Sequence, residues 1–151
     1  MEREESMKIK VKYIAHNGQQ VKPIRIIDQG DWIDLRAAVD VEMKAGEYKM
    51  IPLGVAIQLP EEYEALVVPR SSAFKNFRIL QANGIGVIDE SYCGDADEWH
   101  QLAYAVADTV IKRNDRICQF RIIRHQPEIE IEEVESLGNA SRGGIGSTGV
   151  R

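Results

Sequence analysis

The sequence contains few cysteines, the residues that stabilise small proteins lacking a large hydrophobic core through disulfides or metal sites. Its 151 residues include two cysteines, Cys93 and Cys118, and neither has metal-ligand spacing to another Cys or His. A disulfide framework is therefore excluded, and two reduced thiols are expected. Hydrophobic residues (44%) and charged residues (28%) are near the globular averages, which excludes collagen-like and wholly disordered chains. The length predicts one domain.

Long apolar runs and an excess of positive charge are also missing. No run approaches the roughly 18–20 apolar residues that span a bilayer. Residues 1–6 are charged where a secretory signal would be apolar, so we expect a cytoplasmic protein with no membrane contact. Lys and Arg (19) are outnumbered by Asp and Glu (24), and the net charge of −5 repels a nucleic acid polymer. A phosphorylated ligand should then bind at a small local site, which favours nucleotides.

Short segments in which apolar and polar residues alternate dominate the chain, a pattern typical of half-buried strands. The predicted strands are 8–14, 33–39, 47–51, 54–59, 63–68, 102–111, 116–123 and 128–134. The last is predicted as an edge strand with solvated glutamates. So many short strands indicate an all-β barrel or sandwich. One short helix is predicted at 71–77, with Ser71 and Ser72 as candidate N-caps.

The composition changes near residue 136. Residues 136–151 contain five glycines and three serines and few apolar side chains, which is typical of a flexible tail. We therefore predict a single β-barrel domain over residues 1–135 and a flexible C-terminal tail over residues 136–151.

Three polar clusters exceed the needs of a bare scaffold. Residues 68–75 place Arg70, two serines and a lysine where a strand meets a helix, which is typical of an anion site and equally of an ordinary helix cap. Residues 83–94 bring an amide, a carboxylate and a phenol between glycines, as a tight hairpin would; a turn Asp beside a half-buried Tyr is the commoner use of these residues. Residues 142–149 are by default a flexible Gly/Ser segment, but their N–H groups and Arg142 can also close over a triphosphate.

Five motifs stand in a recognisable order along residues 34–149. They are Asp34-Leu35-Arg36-Ala37-Ala38, Pro69-Arg70-Ser71-Ser72, Asn83-x-x-Gly86-Val87-Ile88-Asp89-x-x-Tyr92-x-Gly94, Asn114-Asp115-Arg116-Ile117-Cys118-Gln119 and Gly144-Ile145-Gly146-Ser147-Thr148-Gly149. With them the chain resembles the homotrimeric deoxyuridine triphosphatase (dUTPase) family, most of all its phage and prophage members. The resemblance implies a distorted jelly-roll β-barrel of the β-clip type, assembled as a homotrimer with active sites between subunits. It also implies hydrolysis of dUTP to dUMP and pyrophosphate with Mg²⁺.

The same resemblance implies a role for each matching residue. Asp89 would be the general base that deprotonates the attacking water, with Gln119 and Asp34 as further catalytic residues. Tyr92 would lie against the deoxyribose and exclude a ribose 2′-hydroxyl. The implied substrate-binding residues are Arg70, Ser71, Ser72, Asn83, Gly86, Val87, Ile88, Tyr92, Arg142, Ile145, Gly146, Ser147 and Thr148. Mg²⁺ would be held by the triphosphate and water, with no direct protein ligand.

Three positions depart from the family pattern. Where the family has an aromatic residue that covers the uracil, this chain has Ile145. His100 and Trp99 are therefore candidates for a relocated lid. A Trp flanked by apolar strand residues often packs in the core, however, and an exposed loop histidine is an equally typical interpretation of His100. Arg142 matches the tail arginine only if a deletion is allowed. The residues before Asp34 also differ, and Asp34 fits equally a buried carboxylate satisfied by backbone N–H groups.

Two alternative functions remain open. A dCTP deaminase shares this fold and the Arg-Ser-Ser motif, and Glu98 lies near the position of the glutamate that such an enzyme uses on cytosine. The residues around Glu98 and the Gly-Ser-Thr-Gly tail favour dUTP instead. The other alternative is a repressor-binding regulator, because phage members of the family contact repressor proteins through the active-site face. That role is compatible with hydrolysis by the same protein.

Overall fold

The computed structural model describes residues 6–146 and 148–151. In this part of the chain it is an all-β structure with one short helix, as the sequence predicts. The strands are β1 (Lys10–Tyr13), β2 (Ile33–Arg36), β3 (Val41–Met43), β4 (Tyr48–Pro52), β5 (Val55–Gln58), β6 (Tyr63–Pro69), β7 (Ile79–Gln81), β8 (Gly86–Ile88), β9 (His100–Ala105), β10 (Thr109–Ile111) and β11 (Arg116–Arg124), and the helix α1 is Ala73–Phe77.

The longest strand, β11, organises the largest sheet. It pairs with β6 from Cys118 opposite Pro69 to Arg124 opposite Tyr63, and with β2 on its other edge. β8 pairs with the far edge of β6, which gives the strand order β2-β11-β6-β8. The second sheet has the order β4-β9-β7, and two further pairs join β1 to β5 and β3 to β10. All of these pairings are antiparallel.

The core is mostly aliphatic and contains one aromatic pair. The rings of Trp99 and Phe120 meet edge to face, with centroids 5.3 Å apart and an interplanar angle of 80°. Both side chains are fully buried, and so are Ile51, Leu53 and Ile117 in the same cluster. Burial of each such side chain contributes roughly 1.5–3 kcal/mol, so this cluster stabilises the scaffold on which the site loops are mounted.

The predicted strand at 128–134 is wrong. These residues are exposed and lie outside every described strand. Alternating glutamates and apolar residues suit a strand, but a strand also needs a partner for its backbone groups. None of the described strands pairs with this segment, and β11 already ends at Arg124.

The other differences concern short strands. Segment 33–39 is a strand only over β2. Segment 102–111 is divided into β9 and β10 by a bend, whose Asp108 side chain accepts a hydrogen bond from the Ala45 N–H (2.9 Å). The sequence does not predict β3, β7 and β8, because three residues are too few to show an alternation of apolar and polar side chains. The helix is confirmed with Ser72 at its N-cap, although the Ser72 side chain makes no capping hydrogen bond to a described residue.

The two cysteines are free thiols, as predicted, with Cys93 exposed and Cys118 buried. Burial, and to a lesser degree the charge of Asp34, raises the pKa of Cys118, so its thiol stays protonated and unreactive. Within the described residues, no helix is long and apolar enough to cross a membrane.

Candidate active site

A cavity of about 430 Å³ opens beside β8 and holds most of the predicted nucleoside-binding residues. We call it the β8 pocket. Its lining is formed by Met50, Val67, Asn83, Gly86, Val87, Ile88, Asp89, Ser91, Tyr92, Glu98, Trp99, His100 and Leu102. Its volume falls in the range of small-molecule sites. The structure therefore brings Asn83, Asp89 and Tyr92 together around a cavity that can accept a nucleoside.

The tight hairpin predicted for residues 83–94 does not form as a pair of strands: β8 is the one described strand in this segment, and it follows a turn after β7. β7 pairs with β9 and β8 pairs with β6, so the turn joins two different sheets. The Gly84 N–H donates to the Gln81 carbonyl (3.1 Å), and the φ of +69° at Gly84 lies in the left-handed region that favours glycine. A Cβ at Gly86 would lie 3.3 Å from Cβ of Val67, so the glycine lets β8 pack closely on β6.

Asp89 follows β8 directly and is held in a local turn. Its Oδ2 accepts hydrogen bonds from the Ser91 N–H (2.8 Å) and from the Ser91 hydroxyl, which is an Asx turn. These two bonds lower the pKa of Asp89 below its ordinary value; burial opposes them slightly, and the attraction of His125 adds to the lowering. Asp89 is thus an exposed carboxylate that is ionised at neutral pH, the form in which a general base acts.

Two rings line the pocket beside Asp89. The Tyr92 hydroxyl donates to the Glu98 carbonyl (2.9 Å), and Nδ1 of His100 lies 2.9 Å from the same oxygen. Burial, followed by the charges of Asp97 and Glu98, raises the pKa of Tyr92, so its phenol stays protonated and remains a donor. A phenol and an imidazole therefore share one anchor at the pocket wall.

The prediction of Trp99 as a lid is wrong. Trp99 borders the pocket, but it is 0% exposed and packs edge to face on Phe120. A residue that covers a ligand must present an open face to it, whereas a fully buried indole is enclosed by close-packed neighbours. Of the two candidates, His100 keeps a half-buried position at the pocket.

A second group of predicted residues lies where β2, β6 and β11 meet, and we call Asp34, Arg70, Arg116 and Gln119 the arginine cluster. Oδ1 of Asp34 is 3.1 Å from Nε of Arg70, and Oδ2 is 3.1 Å from Nη1 of Arg116. Asp34 and Gln119 stand opposite each other on β2 and β11, and Nε2 of Gln119 donates to the Pro69 carbonyl (3.2 Å). In the described part of the chain, the guanidinium groups of Arg70 and Arg116, rather than backbone N–H groups, satisfy Asp34.

Ser71 and Ser72 continue the chain from the arginine cluster into α1. Ser71 is exposed and Ser72 is half-buried. The Arg70 carbonyl accepts a hydrogen bond from the Ala73 N–H (3.0 Å), which fixes the turn that carries both hydroxyls. A guanidinium beside two hydroxyls suits an anionic ligand such as a phosphate group.

The predicted site residues therefore fall into separate groups within one chain. Among the described residues, no member of the arginine cluster lines the β8 pocket. The described tail residues line neither group: Arg142, Ile145, Gly146 and Thr148 are exposed and are not part of the pocket lining. Ser147 lies outside the described residues. Within one chain, the β8 pocket, the arginine cluster and the described tail residues do not form a single site.

Three groups that contact candidate site residues are not predicted from the sequence: Ser91, Arg116 and the backbone carbonyl of Glu98. Ser91 has a signal, since it stands two residues after Asp89, the spacing of an Asx turn. Arg116 lies in the fourth motif, but its contact with Asp34 depends on an irregular register between β11 and β2. The Glu98 carbonyl carries no signal, because every residue has one.

The Glu98 carboxylate is held by two residues that are not part of the β8 pocket lining. Its Oε2 lies 2.7 Å from Nε2 of His16 and accepts a hydrogen bond from the Gly54 N–H (2.9 Å). A dCTP deaminase would need this carboxylate at the nucleobase. The geometry therefore disfavours that alternative.

Comparison with known proteins gives one consistent result. Residues 32–149 match the dUTPase family model. The SPbeta prophage-derived deoxyuridine 5′-triphosphate nucleotidohydrolase YosS of Bacillus subtilis is 56% identical over 145 residues, which cover 96% of this chain and 100% of that protein. The deoxyuridine 5′-triphosphate nucleotidohydrolase of Maricaulis maris is 34% identical over 149 residues, which cover 95% of this chain and 97% of that protein.

Solved structures of phage dUTPases share the fold. The Staphylococcus bacteriophage 80alpha dUTPase with dUpNHpp has a TM-score of 0.73 and 22% identity, covering 96% of this chain and 100% of that one. The dUTPase from phage phi11 of S. aureus, described with a structural Mg(II) ion, has a TM-score of 0.72 and 18% identity, covering 87% of this chain and 99% of that one. These likenesses confirm the distorted jelly-roll β-barrel and the similarity to phage proteins.

A jelly-roll barrel with a nucleoside-sized pocket and an ionised aspartate at its rim falls in the class of nucleotide-hydrolysing β-barrels. The family match spans both the β8 pocket and the arginine cluster. The chain belongs to the dUTPase family and is a dUTP-hydrolysing enzyme.

Proposed function

We propose that Asp89 activates the water that attacks the α-phosphorus of dUTP, giving dUMP and pyrophosphate. The observation that carries this assignment is an exposed carboxylate, with its pKa lowered by Ser91, at the rim of a nucleoside-sized pocket. Asp89 takes one proton from the water, and the water oxygen bonds to the α-phosphorus. The bond from that phosphorus to the bridging oxygen breaks, and pyrophosphate leaves with its electron pair.

The uracil ring is assigned to β8, with Asn83 at its edge. β8 is the last strand of its sheet, so one edge of its backbone has no partner among the described strands. Free N–H and C=O groups at a strand edge can pair with the donors and acceptors of a ligand. Cytosine would leave such groups unpaired, and the methyl group of thymine would meet the wall formed by Gly86, Val87 and Ile88.

The deoxyribose is assigned to Tyr92. Because the hydroxyl of Tyr92 is tied to the Glu98 carbonyl, the ring is held at the pocket wall. In this assignment the ring would fill the space that a ribose 2′-hydroxyl needs. His100 is assigned as the relocated lid over the base, on the basis of its place in the pocket lining.

The triphosphate is assigned to Arg70, Ser71 and Ser72, with Gln119 placing the water and Asp34 orienting Arg70. The tail would close over it through Arg142, Ile145, Gly146, Ser147 and Thr148. Ordering of an exposed segment on a ligand is a common way to form a lid. Among the described residues, no group of three or more His, Cys, Asp or Glu side chains could hold a metal ion. The donors present fit Mg²⁺ held mainly by phosphate oxygens and water near Asp89, where the cation would offset phosphate charge.

We further infer that the working unit is a homotrimer with sites between subunits. The separation of the β8 pocket from the arginine cluster supports this assembly. So does the outer face of the β4-β9-β7 sheet, where exposed or half-buried apolar side chains stand opposite one another: Tyr48, Met50, Leu80, Leu102 and Tyr104. A monomer rarely leaves a continuous apolar face in water. Met50 and Leu102 also line the β8 pocket, so a subunit covering this face would lie beside the site.

Pyrophosphate release from dUTP, dCTP, dTTP and UTP with Mg²⁺ tests the reaction. Activity should be confined to dUTP and lost in Asp89→Asn, because the amide cannot take the proton from water. Asp95→Asn is the matched control, since Asp95 is 94% exposed on a nearby loop and should keep full activity. Ammonia release from dCTP, or hydrolysis of dUTP by Asp89→Asn at the wild-type rate, would contradict the proposal.

Subunit complementation tests the composite site. Asp89→Asn and Arg70→Ala proteins are unfolded together and refolded as a mixture. If each site takes Asp89 from one subunit and Arg70 from a neighbour, random assembly leaves both intact in about one quarter of the sites. Recovery of that share of activity, with sedimentation as a trimer, supports the assembly. A mixture with no more activity than its two components contradicts it.

A regulatory role is supported by one relative. The phage 80alpha dUTPase, with a TM-score of 0.70, is described as controlling transfer of virulence genes by a G protein-like mechanism. By this likeness we propose a phage-type repressor protein as a partner in addition to dUTP. An intact trimer without nucleotide hydrolysis would favour this role over catalysis. We place the protein in the cytoplasm, in keeping with its two free thiols.

A further inference from the structure

Glu98 connects the β8 pocket to the N-terminal part of the chain. Its backbone carbonyl accepts a hydrogen bond from the Tyr92 hydroxyl and lies 2.9 Å from Nδ1 of His100. A carbonyl oxygen only accepts, so the proton of this second contact is on Nδ1 of His100. One oxygen atom therefore orients both rings of the pocket wall.

The side chain of Glu98 is anchored by residues that are not part of the β8 pocket lining. Its Oε2 lies 2.7 Å from Nε2 of His16 and 2.9 Å from the donating Gly54 N–H. The Glu98 side chain is 11% exposed, and that of His16 is 27% exposed. A carboxylate this deeply buried is costly without partners, so both contacts should persist in solution.

The partners of the Glu98 side chain are themselves fixed. Gly54 has a φ of +70°, and a Cβ there would lie 3.1–3.2 Å from neighbouring side chains, so the position requires glycine. His16 exchanges two backbone hydrogen bonds with Gln19, of 2.9 Å and 3.0 Å. The residues between them, 17–18, have positive φ, which is typical of a tight two-residue turn. The anchor is therefore rigid.

We propose that Glu98 is a positioning residue for nucleotide selection: its carboxylate, held by His16 and Gly54, fixes the carbonyl that orients Tyr92 against the sugar. This inference rests on the proposed function, in which Tyr92 occupies the space of a ribose 2′-hydroxyl. Asp89 takes its hydrogen bonds from Ser91 instead. Release of Glu98 should therefore affect substrate binding and selection more than the chemical step.

Four variants test this role, each assayed for kcat and KM with dUTP and with UTP. Glu98→Ala should raise KM for dUTP about 3- to 10-fold, the range expected for a lost hydrogen-bonded anchor, and should lower the dUTP-to-UTP ratio of kcat/KM by a similar factor. kcat should stay within about twofold. Glu98→Gln should restore most of the loss, because its amide oxygen can accept from both anchors. His16→Ala should be intermediate, and Asp95→Asn should match the wild type.

Affinity for dUpNHpp, the imido analogue bound in the 80alpha structure, is measured in the same proteins so that binding is separated from turnover. Folded Glu98→Ala or His16→Ala protein with wild-type KM, selection ratio and dUpNHpp affinity would overturn the inference. If Glu98→Ala fails to fold, His16→Ala decides the matter. Absence of dUTP hydrolysis in the wild type, combined with weaker dUpNHpp binding by Glu98→Ala, would refute the proposed reaction and support the positioning role.

Discussion

Asp34→Ala tests what the arginine cluster contributes to stability. Asp34 is 21% exposed and lies 3.1 Å from a nitrogen of each of Arg70 and Arg116. At an effective dielectric of 20, one such contact has a Coulomb energy of about 5 kcal/mol. Desolvation, repulsion between the two guanidinium groups and solvent screening offset most of this energy. We therefore expect the free energy of unfolding to fall by about 2 kcal/mol when Asp34 is removed.

The assay is thermal unfolding at a fixed protein concentration, because subunit assembly makes the midpoint concentration-dependent. For a chain of this length, a loss of this size corresponds to about 4–8 °C. Asp31→Ala is the matched control, since it breaks an Asp–Arg contact of 2.8 Å to Arg121 on β11. Asp31 is 74% exposed, so its loss should be below about 1 kcal/mol. Asp34→Asn keeps one acceptor and should fall between the two.

The same variant should weaken substrate binding. Without Asp34, the Arg70 guanidinium gains freedom that must be lost again when the triphosphate binds, so KM for dUTP should rise several-fold with a smaller change in kcat. A midpoint shift no larger than that of Asp31→Ala, together with an unchanged KM, would refute the reasoning. Arg70 would then be held mainly by other contacts, such as the one to the Arg116 carbonyl.

The remaining predictions concern the β8 pocket and its support. Ser91→Ala removes a hydrogen bond that lowers the pKa of Asp89, so the fall of kcat/KM on acidification should begin at a higher pH; an unmoved acid limb would contradict this. His100→Ala should raise KM for dUTP with little change in kcat, and an equal KM would end the relocated-lid hypothesis. Trp99→Ala should lower the free energy of unfolding by roughly 3–5 kcal/mol in a denaturant titration, because its indole is fully buried; a loss under ~1 kcal/mol would contradict it.

The fold class could be predicted because the longer strands keep their alternation in the sequence. β1, β6 and β11 fall inside or almost inside their predicted segments. The three-residue strands β3, β7 and β8 could not be found, since their pairing depends on neighbours that are distant in sequence. Residues 128–134 show the opposite error: alternation reports which residues suit a strand, and only the tertiary structure decides whether a partner edge is present.

The candidate site residues could be named from their order in the motifs, but their grouping in space could not. Asp34 and Gln119 are 85 positions apart and become neighbours only because β2 pairs with β11 in one register. Glu98 illustrates the same limit, because its carbonyl acts at the pocket while its carboxylate is anchored to His16. Spacing in sequence reveals local turns such as the one at Asp89, whereas cross-strand contacts require the fold.

The separation of the β8 pocket from the arginine cluster suggests a function for the exposed apolar face of the β4-β9-β7 sheet. A hydrolase must hold the base, the sugar and the phosphates at once, and in the function proposed above the nucleoside and the triphosphate are assigned to a pocket and a cluster that do not share lining residues within one chain. The apolar face that carries Met50 also borders the β8 pocket, so covering that face with another subunit would both remove apolar surface from water and bring a second set of polar side chains to the nucleotide. Stability and catalysis would then depend on the same contact between subunits.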